Sequence, residues 1–145
     1  MVLDSVDIRD LIPQKEPFVV VDRLSKADES SAVSVWEIRD DSLFVNGGEL
    51  QPCVILENMA QTCAAHLGYV GRFINDNPEV KIGYIGSVKN LSVLKVPRVG
   101  DVVETHIKVV EQIMDMKLIE AVSYINGSIA AKAEIKIALT DKTAL

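Results

Sequence analysis

The longest regular pattern of apolar positions in the chain runs over residues 52–73. Val54, Ile55, Leu56, Met59, Ala60, Cys63, Ala64, Leu67 and Val70 recur there at helical spacing and wrap most of a helix circumference. A narrow polar stripe remains, made of Glu57, Asn58, Gln61, Thr62 and His66. A helix that is apolar nearly all round is normally enclosed by protein. Its small residues, Ala60, Cys63, Ala64, Ala65 and Gly68, let other backbone approach closely. Glu57 is the only charge in the first five turns, near the helix start. A carboxylate among apolar side chains is costly unless paired or protonated, and such groups are often functional.

The flanking patterns are mostly those of strands. Residues 4–11 predict a short amphipathic helix, capped by Asp4 or Ser5 and stopped by Pro13. Residues 18–21 predict a short buried strand, 26–31 a charged turn, and 32–38, with the sole tryptophan Trp36, an alternating strand. A polar turn over 39–42 and a brief apolar piece over 43–45 follow. Asn46-Gly47-Gly48-Glu49 is a loop whose two glycines can take positive φ, and it enters the long helix through Pro52.

Beyond the helix, residues 81–96 read as one long strand, with Gly83 and Gly86 marking bulges or a close backbone approach. Residues 97–101 form a turn. Residues 102–110 place Val103, Thr105, Ile107 and Val109 on one face. Residues 116–125 and 128–139 are strands joined by Asn126-Gly127, a strong hairpin signal. The last strand turns Ala131, Ala133, Ile135 and Ile137 inward and Lys132, Glu134 and Lys136 outward. This order predicts an α+β fold, an antiparallel sheet curled around one long helix. A second copy or a partner chain is expected to complete its uncovered edges.

A length of 145 residues gives one domain spanning the whole chain, 1–145, with room for a real core. The net charge of −6 argues against a nucleic-acid partner. Cys53 and Cys63 lack metal-ligand spacing and read as buried free thiols in a reducing compartment, so no metal is expected. The long helix approaches the length of a membrane span, but its polar stripe and the lack of flanking basic clusters oppose that assignment. A soluble cytoplasmic protein is expected.

Three segments carry a resemblance. Residues 12–23, Ile-Pro-Gln-Lys-Glu-Pro-Phe-Val-Val-Val-Asp-Arg, resemble the N-terminal signature Leu-Pro-His-Arg-x-Pro-Phe-Leu-Leu-Val-Asp-Arg of the hot-dog-fold β-hydroxyacyl-acyl-carrier-protein dehydratases of fatty-acid synthesis. Glu57-Asn58-Met59-Ala60-Gln61 is similar to that family's Glu-Ala-Met-Ala-Gln at the start of the central helix. Residues 83–89, followed by Val96-Pro97-Arg98-Val99-Gly100-Asp101, are similar to its next strand and Pro-Gly-Asp turn. The resemblance implies the hot-dog fold, a 3-hydroxyacyl thioester substrate on acyl carrier protein or coenzyme A, no cofactor, and an active site at a dimer interface.

The family pairs a histidine in a Gly-His-Phe-Pro loop with the glutamate opening the central helix, the two coming from different chains. The glutamate carries over onto Glu57; the histidine does not. Leu43-Phe44-Val45-Asn46-Gly47-Gly48-Glu49-Leu50 stands in its place, in a shorter loop, with Asn46 near the lost residue. This loop also resembles a divergent branch associated with polyene-type lipid or pigment synthesis.

Eliminating water from a 3-hydroxyacyl thioester needs a base for the α-proton, an acid for the hydroxyl and donors for the charge that develops on the carbonyl. Glu57 is the expected acid, its pKa raised by an apolar setting. Gln61, one turn on, is expected to fix the carboxylate, and Asn46 to orient water or a carbonyl. Cys53 and Val54, at the helix N-terminus, and Gly86 on the following strand are the expected substrate-binding positions.

His66 lies nine residues from Glu57, about 13 Å along a helix axis, and reads as a core or interface contact. His106 reads as a surface residue. Arg23, Arg72, Lys89, Lys95 and Arg98 are ordinary surface charges, or alternatively a patch for an acidic carrier. The leading expectation is a dehydratase, a hydro-lyase. The alternatives are a partner subunit contributing Glu57 to a heteromeric dehydratase, an acyl-thioester hydrolase, and a non-catalytic acyl-binding domain.

Overall fold

The computed structural model describes residues 3–77 and 81–143. The chain opens with two separate single turns of 3₁₀ helix, Leu3–Ser5 and Ile8–Asp10, in place of the one short α-helix that the pattern predicts. Asp7 is the reason. Its side chain accepts the Arg9 N–H at 2.9 Å and caps a new turn inside the segment. Ser5, one expected cap, stands at the end of the first turn, and the side chain of Asp4 lies outside the described residues. Ile8, Leu11 and Ile12 are buried, so the predicted apolar face survives without the helix.

Residues 18–21 form no strand, against expectation, and Phe18 is exposed. Pairing instead begins with β1, Arg23–Ala27, antiparallel to β2, Ser31–Glu37. Asp22 fixes this entry. Its carboxylate accepts the Glu37 N–H at 2.8 Å and pairs with Arg39 at 3.0 Å. A minimal hairpin follows, β3 (Val45–Asn46) and β4 (Glu49–Leu50), turning through Gly47 and Gly48 at φ of 63° and 82°. These are left-handed values that glycine adopts at little cost.

The central helix α1 spans Val54–Tyr69 and widens into a π-helical stretch over Val70–Ile74. Four long strands complete the chain: β5 (Lys81–Val93), β6 (Val102–Ile113), β7 (Met116–Ile125) and β8 (Ser128–Thr143). The sheet order is β1-β2-β6-β7-β8-β5, antiparallel throughout, with β1 and β5 as its edges. It curls around α1, the predicted hot-dog architecture. Ile55 and Met59 of the helix are fully buried against inward residues such as Val103, Ile107, Ile125 and Ile135. Burying each such side chain contributes about 1.5–3 kcal/mol.

The polar stripe of α1 is turned inward and satisfied. Asn58 Nδ2 donates to the Val20 carbonyl at 2.7 Å, and its Oδ1 accepts from Thr105 Oγ1 at 2.7 Å. Thr62 Oγ1 donates to the Asn58 carbonyl at 2.8 Å and lies 2.7 Å from Ser34 Oγ. Thr105 and Ser123 hydroxyls lie 2.6 Å apart. A fully bonded buried network orients the helix rotationally, because any other register strands its polar groups. Gly68, farther along the helix, sets a close approach to the N-terminal segment: a Cβ there would overlap the Leu11 backbone.

Candidate functional site

Residues 11–20 run antiparallel along α1, from Leu11 beside Gly68 to Val20 beside Asn58. Gln61 is the main rivet. It is fully buried; its Oε1 accepts the Val20 N–H at 2.8 Å, and its Nε2 donates to the Phe18 carbonyl at 2.8 Å and to Glu57 Oε1 at 3.0 Å. One amide thus holds the N-terminal segment to the helix and points the Glu57 carboxylate.

Glu57 itself is exposed. The apolar enclosure expected around it is not formed by this chain, because its face of α1 is turned away from the inward stripe and toward edge strand β5. It borders a cavity of about 140 Å³ between α1 and the sheet. Ala60, Cys63, Ala64 and Leu67 of the helix, Gly83 and Ile85 of β5, and Ile119, Ile137 and Leu139 of the sheet supply its apolar walls. Four polar groups share it with Glu57 or follow deeper along the helix: Gln14, His66, Lys117 and the Cys63 thiol.

These groups are strongly conditioned by burial. His66 is buried, and its Nε2 lies 2.8 Å from the Asp28 carbonyl. Burial pushes its pKa down, the Asp28 hydrogen bond partly opposes this, and nearby Lys117 pushes the same way as burial. Lys117 sits on the inward face of β7 with Ile119, Ala121, Ser123 and Ile125, only 8% exposed, and burial pushes its pKa down. The Cys63 thiol is pushed up to about 12 by burial, which keeps it an inert thiol at neutral pH.

The other expected site residues are scattered. Asn46 is exposed in the β3–β4 hairpin and does not line the Glu57 cavity. Cys53 is exposed in the turn before α1, contrary to the buried thiol expected, because the helix core begins one residue later with Val54, which is buried in the core. Gly86 marks a bulge in β5, as its composition predicts, but Gly83 and Ile85 line the cavity in its stead. His106 is a surface residue, bonded to Glu104 at 2.7 Å and packed edge-on to Tyr124. Arg98 pairs with Glu49 and Arg72 lies over the Phe73 ring, and none of the five expected basic residues lines the cavity.

Sequence reasoning missed Gln14 and Lys117. Lys117 carried a readable signal, since the alternation of β7 assigns position 117 to the buried face. Among the described residues no cluster of metal-ligating side chains occurs, and no helix is long and apolar enough to cross a membrane.

A family model described as ApeP-like, ApeP dehydratase, matches residues 6–144. The chain is 28% identical to the 3-hydroxyacyl-[acyl-carrier-protein] dehydratase FabZ of a Nitratiruptor species, over 97% of this chain and 99% of that one. It is 25% identical to the FabZ of Campylobacter jejuni over the same shares. Among solved structures it superposes on the dehydratase heterocomplex ApeI:P from Xenorhabdus doucetiae with a TM-score of 0.86 and 15% identity, over 94% of this chain and 93% of that one. A hypothetical thioesterase with coenzyme A from Streptococcus pneumoniae gives a TM-score of 0.65 and 14% identity, covering 81% of this chain and 84% of that one. At such identities the structural likeness speaks of the fold.

Proposed function

This chain belongs to the ApeP-like dehydratase family, and from that premise we propose that it serves the removal of water from 3-hydroxyacyl thioesters on acyl carrier protein. Glu57 is its contribution, and a related hot-dog chain supplies the base. The observation that carries this reading is the pairing of a held carboxylate with a cavity of about 140 Å³ whose walls beside it are apolar. No histidine of this chain suits the base. His66 is occupied by Asp28 and sits about 13 Å along the helix from Glu57, and His106 is on the outer surface.

In this reading Glu57 protonates the departing hydroxyl while the partner's base removes the α-proton. The positive end of α1, at Cys53, stabilises negative charge on the thioester oxygen, the Val54, Ile55 and Leu56 N–H groups being already bonded to the Gln51, Pro52 and Cys53 carbonyls. Asn46, at the hairpin beside this helix start, orients water or the carbonyl. The exposure of Glu57 fits a site that a second subunit closes. The relative from Xenorhabdus is itself a dehydratase heterocomplex, which favours a heteromer. A cytoplasmic location goes with the proposal.

Mass spectrometry of a 3-hydroxyacyl carrier-protein substrate tests it, with this chain alone and then with a co-purifying hot-dog partner. Loss of water only with both chains, abolished by Glu57→Gln, is the expected result. Normal turnover by the isolated chain removes the heteromeric part. Release of a free thiol without dehydration makes the site a hydrolase instead.

A further inference from the structure

The cavity beside Glu57 is not apolar to its end. Glu57 stands near the first turn of α1, and Cys63 and His66 follow about 9 and 13 Å along the axis. Lys117 meets the cavity at that far end, since it acts electrostatically on both Cys63 and His66. Gln14 lies there as well, because it is three residues from Leu11, whose carbonyl abuts Gly68 late in the helix.

Both polar groups are unspent. Gln14 Oε1 is buried with no hydrogen-bond partner, alone in this among the buried side-chain oxygens and nitrogens of the described residues. Lys117 is more than nine-tenths buried and makes no hydrogen bond or ion pair among the described residues. A buried acceptor without a donor is destabilising until a ligand supplies one, and the Lys117 amine, which no group of the described residues bonds, is free to bond the same ligand. An unsatisfied acceptor and an unpaired lysine lining one cavity, with apolar walls leading to them from Glu57, describe a site that a ligand completes.

We propose that Lys117 and Gln14 form a polar floor that selects an acyl chain bearing a hydroxyl group at the end remote from the thioester. The inference rests on the acyl-site reading of the Glu57 cavity. A hydroxyl both donates and accepts, so it satisfies Gln14 and Lys117 together, whichever way the Gln14 amide is turned. A carboxylate, which only accepts, suits Lys117 but satisfies Gln14 in only one of the two amide orientations. A plain alkyl end leaves both groups unpaired.

Calorimetry with the full chain, in the assembly in which it purifies, tests this. The probes are octanoyl-pantetheine, its omega-hydroxyoctanoyl counterpart and the omega-carboxyl counterpart. The omega-hydroxy thioester is expected to bind at least about tenfold more tightly than the alkyl one, the worth of one or two buried hydrogen bonds. Lys117→Met and Gln14→Leu should each reduce that preference severalfold, with melting temperatures recorded to show that each variant folds. Equal binding of alkyl and omega-hydroxy probes to the wild type overturns the polar floor and leaves the acyl site standing. Tighter binding of the omega-carboxyl probe overturns the hydroxyl assignment. Binding of none of the three overturns this inference and the acyl-site reading together.

Discussion

At the scale of single residues, Gln61 and His66 show how one buried polar group can serve both fold and site. Gln61 uses every polar atom of its amide on Phe18, Val20 and Glu57. Gln61→Leu keeps the volume but strands a buried main-chain donor, so it should cost about 2–4 kcal/mol in denaturant unfolding. It should also lower turnover further than the stability loss explains, because the Glu57 carboxylate is no longer aimed. His66 makes a pH prediction. Its folded pKa lies below the ordinary value of 6.5, chiefly through burial. Above that value both folded and unfolded chains carry a neutral ring. Below it the unfolded chain takes up a proton that the folded chain resists, so stability falls as pH falls. The slope is at most about 1.4 kcal/mol per pH unit. Lys117 acts on the ring and the Asp28 carbonyl accepts its bond, and the Asp28 carboxylate, held low by Ser30 and Ser31, releases its own contribution only at more acidic pH. His66→Gln should flatten the unfolding free energy between pH 6.5 and about 5. An unchanged slope would place the sensitivity elsewhere.

At the scale of elements, what was legible depended on whether a segment's partner was encoded locally. The Asn126-Gly127 hairpin, with φ of 51° and 78°, and the inward faces of β6 and β8 follow from turn chemistry and alternation alone. So does the long central helix. Residues 18–21 have the apolar run of a buried strand, yet the main-chain groups of Phe18 and Val20 are bound by the side chains of Asn58 and Gln61, some forty positions away. No local pattern announces such a partner. The polar stripe of α1 misled in the same manner. It reads as a slot for one functional acid, whereas four of its five members are buried structural groups and only Glu57 is free of the core. Of the site, Glu57 and its contact with Gln61 were readable from spacing. The floor was not, because it joins Gln14 to Lys117 from opposite ends of the chain. Gly68 ties the helix to residues 11–20, and its smallness is required. Gly68→Ala pushes a methyl group into the Leu11 backbone and should cost about 2 kcal/mol. That corresponds to a fall of about 4–8 °C in Tm. An unchanged melting temperature would mean that the N-terminal segment yields freely.

At the scale of the whole molecule, the two edges of the sheet are treated differently. Strand β1 is short and carries Arg23 and Lys26, the charged kind of edge that resists pairing. Strand β5 is thirteen residues long and leaves Tyr84, Ile85 and Leu91 at 56%, 44% and 44% exposure. An extended apolar edge is a template for another chain, and this one runs past the mouth of the Glu57 cavity through Gly83 and Ile85. A partner seated there would bury the aromatic and aliphatic surface and close the site at once. The double substitution Tyr84→Lys with Leu91→Lys places two charges on that edge without touching the cavity lining. Sedimentation should then report a single chain where the wild type sediments as an assembly, while circular dichroism and Tm stay near wild type, because both side chains already face solvent. Dehydration should fall with the assembly. Should the variant remain assembled and active, β5 is not where subunits meet, and Glu57 would need its enclosure from another surface.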